Sequence, residues 1–120
     1  MNIQERKVNN IILLTLSGRI DAFTAEKLDE ELNSIINTGN LHFVVNLTEV
    51  SYISSAGLRV FLGAYKKLLK NQGKIYFTNM PEPILKIFSL AGFDKIFEIF
   101  TSEREALKQF GAKIEHVKAY

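Results

Sequence analysis

Asn46-Leu47-Thr48-Glu49-Val50-Ser51-Tyr52-Ile53-Ser54-Ser55-Ala56-Gly57-Leu58-Arg59-Val60-Phe61 joins two differently patterned stretches of the chain. On its amino side, Leu41 to Leu47 carries Phe43-Val44-Val45, apolar without alternation, the pattern of a parallel strand covered on both faces. On its carboxyl side, Leu58, Phe61, Leu62, Tyr65, Leu68 and Leu69 recur at helical spacing, with Arg59, Gly63, Lys66, Lys67 and Lys70 opposite them. That stripe predicts a helix from about Ser55 to Gln72, ended by Gly73. Thr48 to Ile53 reads as a short irregular connection across the carboxyl edge of the strand. Function commonly sits at such edges in parallel sheets.

Upstream, residues 2–8 and 10–17 read as two strands, and Asn9-Asn10 between them is a hairpin signal. Ile11 and Leu13 interleave with Ile12, Leu14 and Leu16, so the second strand is apolar on both faces and expected to be central. Gly18-Arg19-Ile20-Asp21 leads into a helix near 25–37, with Thr24 expected as its N-cap and Phe23 with Leu28 as a hydrophobic staple. Ala25, Leu28, Leu32, Ile35 and Ile36 share one face of that helix, and Gly39 stops it. Downstream, Lys74 to Thr78 reads as a fourth strand. Pro81 and Pro83 open a helix that Gly92 terminates near Ala91. Ile96 to Phe100 follows as a last strand, and Ser102 with Glu105 makes a capping box for a helix to about Phe110. The order β-β-α-β-α-β-α-β-α predicts an α/β fold: a mixed sheet of about five strands packed with about four helices, mostly on one side. One domain is expected over 1–112, followed by a partly mobile tail over 113–120.

With 120 residues, 47% hydrophobic and 23% charged, the chain can build one ordinary globular core. It has no cysteine, which removes disulfides and thiolate chemistry and suits a cytoplasmic location. No apolar run is long enough to cross a membrane, and the start at Met1 lacks the layout of a signal peptide, so no membrane insertion is expected. Net charge is +2, and Lys66, Lys67, Lys70 and Lys74 read as a solvated helix face and its exit rather than a nucleic-acid surface.

Enzyme chemistry finds little support. Gly-x-Gly-x-x-Gly, P-loop and Gly-x-Ser-x-Gly patterns are absent. His42 and His116 have no ligand partner at useful spacing, and Asp21, Asp29, Glu30 and Glu31 read as surface carboxylates. No metal, cofactor or catalytic residue is therefore expected. Ser54 and Ser55 stand where a helix begins, and a single cap there is worth ~1 kcal/mol. Gly57 in the first turn costs up to about 1 kcal/mol relative to alanine. An open surface that another protein approaches closely would account for it. The residues alone leave a cap and a contact site equally open.

These residues resemble the STAS family, the sulfate-transporter and anti-sigma-factor-antagonist domain. Gly18-Arg19-Ile20-Asp21 with Thr24-Ala25 is similar to the segment before its first helix. Asn46-Leu47-Thr48 through Ser54-Ser55-Ala56-Gly57-Leu58 is similar to its signature loop, and Leu90-Ala91-Gly92-Phe93-Asp94-Lys95-Ile96-Phe97 to its late helix-to-strand passage. The sequence departs from the pattern at Ser54, where many members carry aspartate, and at Asn46, where some do. The resemblance implies an anti-sigma factor antagonist, monomeric or weakly dimeric, and not an enzyme. Its unphosphorylated form would bind an anti-sigma factor that is also a serine kinase and so release the sigma factor. Phosphorylation at Ser55, with Ser54 as second candidate, would end binding, and a serine phosphatase would reset it. Asp21, Ser54, Ala56, Gly57 and Arg59 are the implied partner contacts. Asp21 either orients Ser55, touches the partner or caps the first helix. Tyr52 and Ile53 are expected to anchor the loop in the core. The resemblance also admits a subunit docked on a membrane lipid-transport or other transporter complex, and a ligand-sensing domain without any phosphate-cradling motif.

Overall fold

Asn9 adopts φ 54, a left-handed conformation that asparagine tolerates better than most residues, and so closes a two-residue hairpin between β1 (Asn2–Val8) and β2 (Ile11–Ile20). The computed structural model describes the backbone of residues 1–118 and the side chains of residues 1–111. Beyond the hairpin, α1 (Ala22–Asn37), β3 (His42–Ile53), α2 (Ser55–Lys70), β4 (Lys74–Thr78), α3 (Glu82–Leu90), a 3₁₀ turn at Phe93–Lys95, β5 (Glu98–Phe100) and α4 (Glu103–Lys118) follow in order. The sheet runs β1-β2-β3-β4-β5, antiparallel at β1–β2 and parallel elsewhere. The expected mixed sheet of five strands with four helices is what the described residues form.

Alternation along β2 sorts the core into two layers. Ile12, Leu14 and Leu16 face α1, α2 and α3 with Phe43, Val45 and Phe77. Ile11 and Leu13 face the other way, with Val44 and Tyr76, against Ala106 and Phe110 of α4. Rings of Phe61, Phe77, Phe88 and Phe97 meet edge to face or tilted, with Phe61 and Phe77 centroids 4.9 Å apart. Such pairs add about 0.5–1.5 kcal/mol each beyond their buried area, and here they seat α2 and α3 on β4.

Four expectations need correction. β3 does not end near Leu47 but continues to Ile53, and β2 continues to Ile20. Past Asn46, which pairs with the last residue of β4, β3 is held by β2 alone, with register shifts between Thr15 and Ser17 and between Gly18 and Arg19. These bulges bury Leu47, Val50 and Ile53 at a spacing of three, so the stretch lacks the period of two that marks a strand. Second, α1 begins at Ala22 with Asp21 as N-cap, and Thr24 is its third residue. Phe23 is 84% exposed, so it makes no staple with Leu28. Third, β5 starts at Glu98 because Phe93–Lys95 is helical and Ile96 lies at the surface. Fourth, α4 continues past Phe110 to Lys118. The side chains of the expected tail, 113–120, and of His116 lie outside the described residues.

Candidate functional site

Ile20 and Ile53 are paired at the carboxyl ends of two adjacent parallel strands, and the residue after each caps a helix. The starts of α1 and α2 are therefore side by side, tied by the Ser54 N–H donating to the Ile20 carbonyl at 2.8 Å. Asp21 Oδ1 accepts from the N–H groups of Phe23 and Thr24 at 3.0 and 2.9 Å, and the Thr24 hydroxyl accepts from the Asp21 N–H at 2.9 Å. The Thr24 N–H holds the Asp21 carboxyl below its usual pKa against some desolvation, helped by the Thr24 hydroxyl, the Phe23 N–H and the charge of Arg19. Of the three roles open to Asp21, capping is the one its hydrogen bonds serve.

The two serines separate in the same way. Ser54 is extended at φ −89, ψ 170, and its Oγ accepts from the Gly57 N–H at 3.3 Å, so it is the N-cap of α2. Ser55 is the first helical residue, exposed, and its hydroxyl makes no hydrogen bond among the described residues. Ser54→Ala is expected to lose about 1 kcal/mol of stability and Ser54→Asp to lose little, because serine and aspartate rank together as caps. Urea denaturation of both variants checks it, and an alanine variant as stable as the parent would remove the capping role.

Gly57 does not open a surface to another protein. It is buried, and a Cβ there would lie 2.7 Å from Cγ2 of Ile20 and 2.9 Å from Cγ1 of Ile53. The glycine lets the first turn of α2 settle onto the ends of β2 and β3, which corrects its expected place among the partner contacts. Ala56 is half-buried and Arg59 exposed, and both line a groove between the helices with Ala22, Glu26 and Asp29 of α1. Phe23, which looked like a staple in the sequence, is an exposed aromatic in the first turn of α1 at this same end of the domain. Its only signal in the chain is an aromatic residue next to a cap.

Ile53 packs into the core as expected, whereas Tyr52 lies on the outside with the Arg19 guanidinium 4.3 Å from its ring centroid. Asn46 belongs to a different cluster. Its Nδ2 donates to Glu103 at 2.8 Å, its Oδ1 accepts from the Thr48 N–H at 2.9 Å, and Arg6 donates to both Glu103 oxygens at 2.9 and 2.8 Å. Burial pushes the Glu103 pKa up, but the hydrogen bonds from Asn46 and Arg6 and the charge of Arg6 outweigh it and hold the carboxyl low. These contacts tie α4 to β1 and β3. His42 stacks obliquely on Phe110, with centroids 5.1 Å apart. Among the described residues, no group of three or more His, Cys, Asp or Glu could hold a metal ion, and no helix is long and apolar enough to cross a membrane.

Residues 2–106 match the model of the STAS domain. The chain belongs to the STAS domain family. An anti-sigma-B factor antagonist of Listeria monocytogenes is 34% identical over 105 residues, spanning 88% of this chain and 91% of that relative. Among solved structures, the anti-sigma factor antagonist SpoIIAA in its unphosphorylated form superposes with a TM-score of 0.83 at 20% identity, over 92% of this chain and 97% of that one. The Bacillus cell fate determinant SpoIIAA in its phosphorylated form gives 0.74 at 21%, over 91% and 99%. At those identities the structural likeness concerns the STAS fold. The STAS pattern's aspartate at position 54 now has a physical counterpart, since the serine here does the capping that an aspartate can also do.

Proposed function

We propose that this protein is an anti-sigma factor antagonist working by partner switching in the cytoplasm. Unphosphorylated, it binds an anti-sigma factor that is also a serine kinase and so frees the sigma factor. Phosphorylation of Ser55 ends the complex, and a serine phosphatase restores it. The protein binds and is modified; the ATP chemistry belongs to the partner. The observation that carries this reading is the difference between the two serines: Ser54 spends its oxygen on the cap, and Ser55 presents an unengaged hydroxyl to solvent at the start of α2. The name of the Listeria relative supports the antagonist class.

A phosphate on Ser55 would sit beside the free N–H groups and positive dipole end of α2, whose first turn has no acidic residue. The modification is thus tolerated by the fold while adding roughly 1.5 to 2 negative charges and three acceptor oxygens to the docking face. Ala56, Arg59 and Phe23 are the side chains offered to the partner there; Asp21 and Ser54 shape the face by capping. The test is incubation with ATP and the cognate anti-sigma factor kinase, then mapping by mass spectrometry. Phosphate on Ser55 and not on Ser54 is the expected result. Modification of Ser54 alone, or of neither, overturns the switch.

A further inference from the structure

We infer that Arg59 is the internal counter-ion of phosphorylated Ser55, so that modification withdraws a cation from the docking face as well as adding an anion to it. The inference rests on Ser55 being the acceptor. Ser55 and Arg59 are four residues apart on α2, one turn or about 6 Å along the axis, and both are exposed. Side chains on a helix lean toward its amino end, which carries a long arginine at 59 over the turn that begins with Ser55. An anion placed four residues before a cation is the favourable order, because each charge also suits its end of the helix dipole.

Arg59 is available for that role. It makes no hydrogen bond or ion pair among the described residues. Glu26 and Asp29 of α1 line the same groove and are the carboxylates that face it, yet neither closes an ion pair with it. Asp21, the other nearby acid, is occupied by the cap of α1, and Arg19, the other nearby cation, lies over Tyr52. A phosphate dianion one turn away offers Arg59 two oxygens in the forked geometry that a guanidinium matches and an ammonium does not. In the unmodified protein Arg59 is left for the acidic groups of a partner. In the phosphorylated protein it turns back onto its own helix.

The experiment installs phosphoserine at position 55 by genetic encoding, so no kinase is needed, and follows the phosphate by ³¹P NMR from pH 4 to pH 8. With Arg59 present, the second phosphate pKa is expected to lie roughly 0.3 unit below that of the Arg59→Gln variant, the size appropriate to an exposed pair one turn apart. Arg59→Lys should recover part of that shift, and Lys66→Gln, a neutralisation further along α2, should leave it unchanged. Equal pKa values with and without Arg59, or an equal change on removing Lys66, overturn the inference. Failure of the kinase to modify Ser55 would sink the proposed switch without touching this titration. A flat titration would remove the counter-ion and leave the switch standing.

Discussion

Ser55→Asp is expected to weaken binding to the anti-sigma factor by roughly 100-fold, from like-charge contact and desolvation costing a few kcal/mol. Ser55→Ala is expected to bind as the unmodified protein does. Aspartate suits the first turn of a helix, since it meets the positive end of the dipole and free N–H groups. The Ser55→Asp variant should therefore melt like the parent, which separates lost docking from lost folding. Isothermal titration of the two variants against the partner measures the difference. Equal affinities would move the docking surface away from the start of α2.

The second large effect concerns Gly57. A Cβ added there meets Ile20 and Ile53 at 2.7 and 2.9 Å, and those side chains are 0% and 2% exposed and sit on paired strand ends. Neither can swing aside, so overpacking of about 1–3 kcal/mol applies. In Gly57→Ala this exceeds the gain of up to about 1 kcal/mol in helix propensity, giving a net loss. Gly57→Val adds two methyl groups to the same space and is expected to lose about 3 kcal/mol or more, a fall in Tm of roughly 10 °C or more for a domain of this size. Thermal and urea unfolding of both variants checks this. A Gly57→Ala protein more stable than the parent would show that the first turn is not pressed against the strand ends, and would return Gly57 to the outer surface.

Much of the fold was readable because its signals are local. Lys74 to Thr78 is the strand that its five residues announce, Asn9-Asn10 makes the hairpin, and Gly92 ends α3 with φ 77. The stripe through Leu58, Phe61 and Leu68 faces the core. Leu69, assigned to the same stripe, is 58% exposed, and Ala64 takes its place inside. The candidate site was visible in outline for a related reason: Ser54-Ser55-Ala56-Gly57-Leu58 is contiguous, so a family pattern can be seen without knowing what any side chain touches.

Local signals in the chain, then, carry the order of elements, the α/β class and the address of the candidate site, since each depends on neighbours within a few positions. Tertiary structure alone decided which serine is spent on the cap, why position 57 is glycine and where β3 ends. Each of those turns on Ile20 and Ile53, far apart in the chain and paired at the ends of adjacent strands. That pairing brings the starts of α1 and α2 side by side, with α2 beginning two residues after Ile53. It turns the Ser54 oxygen toward the helix, points the missing Cβ of Gly57 at the core, and leaves Ser55 facing water.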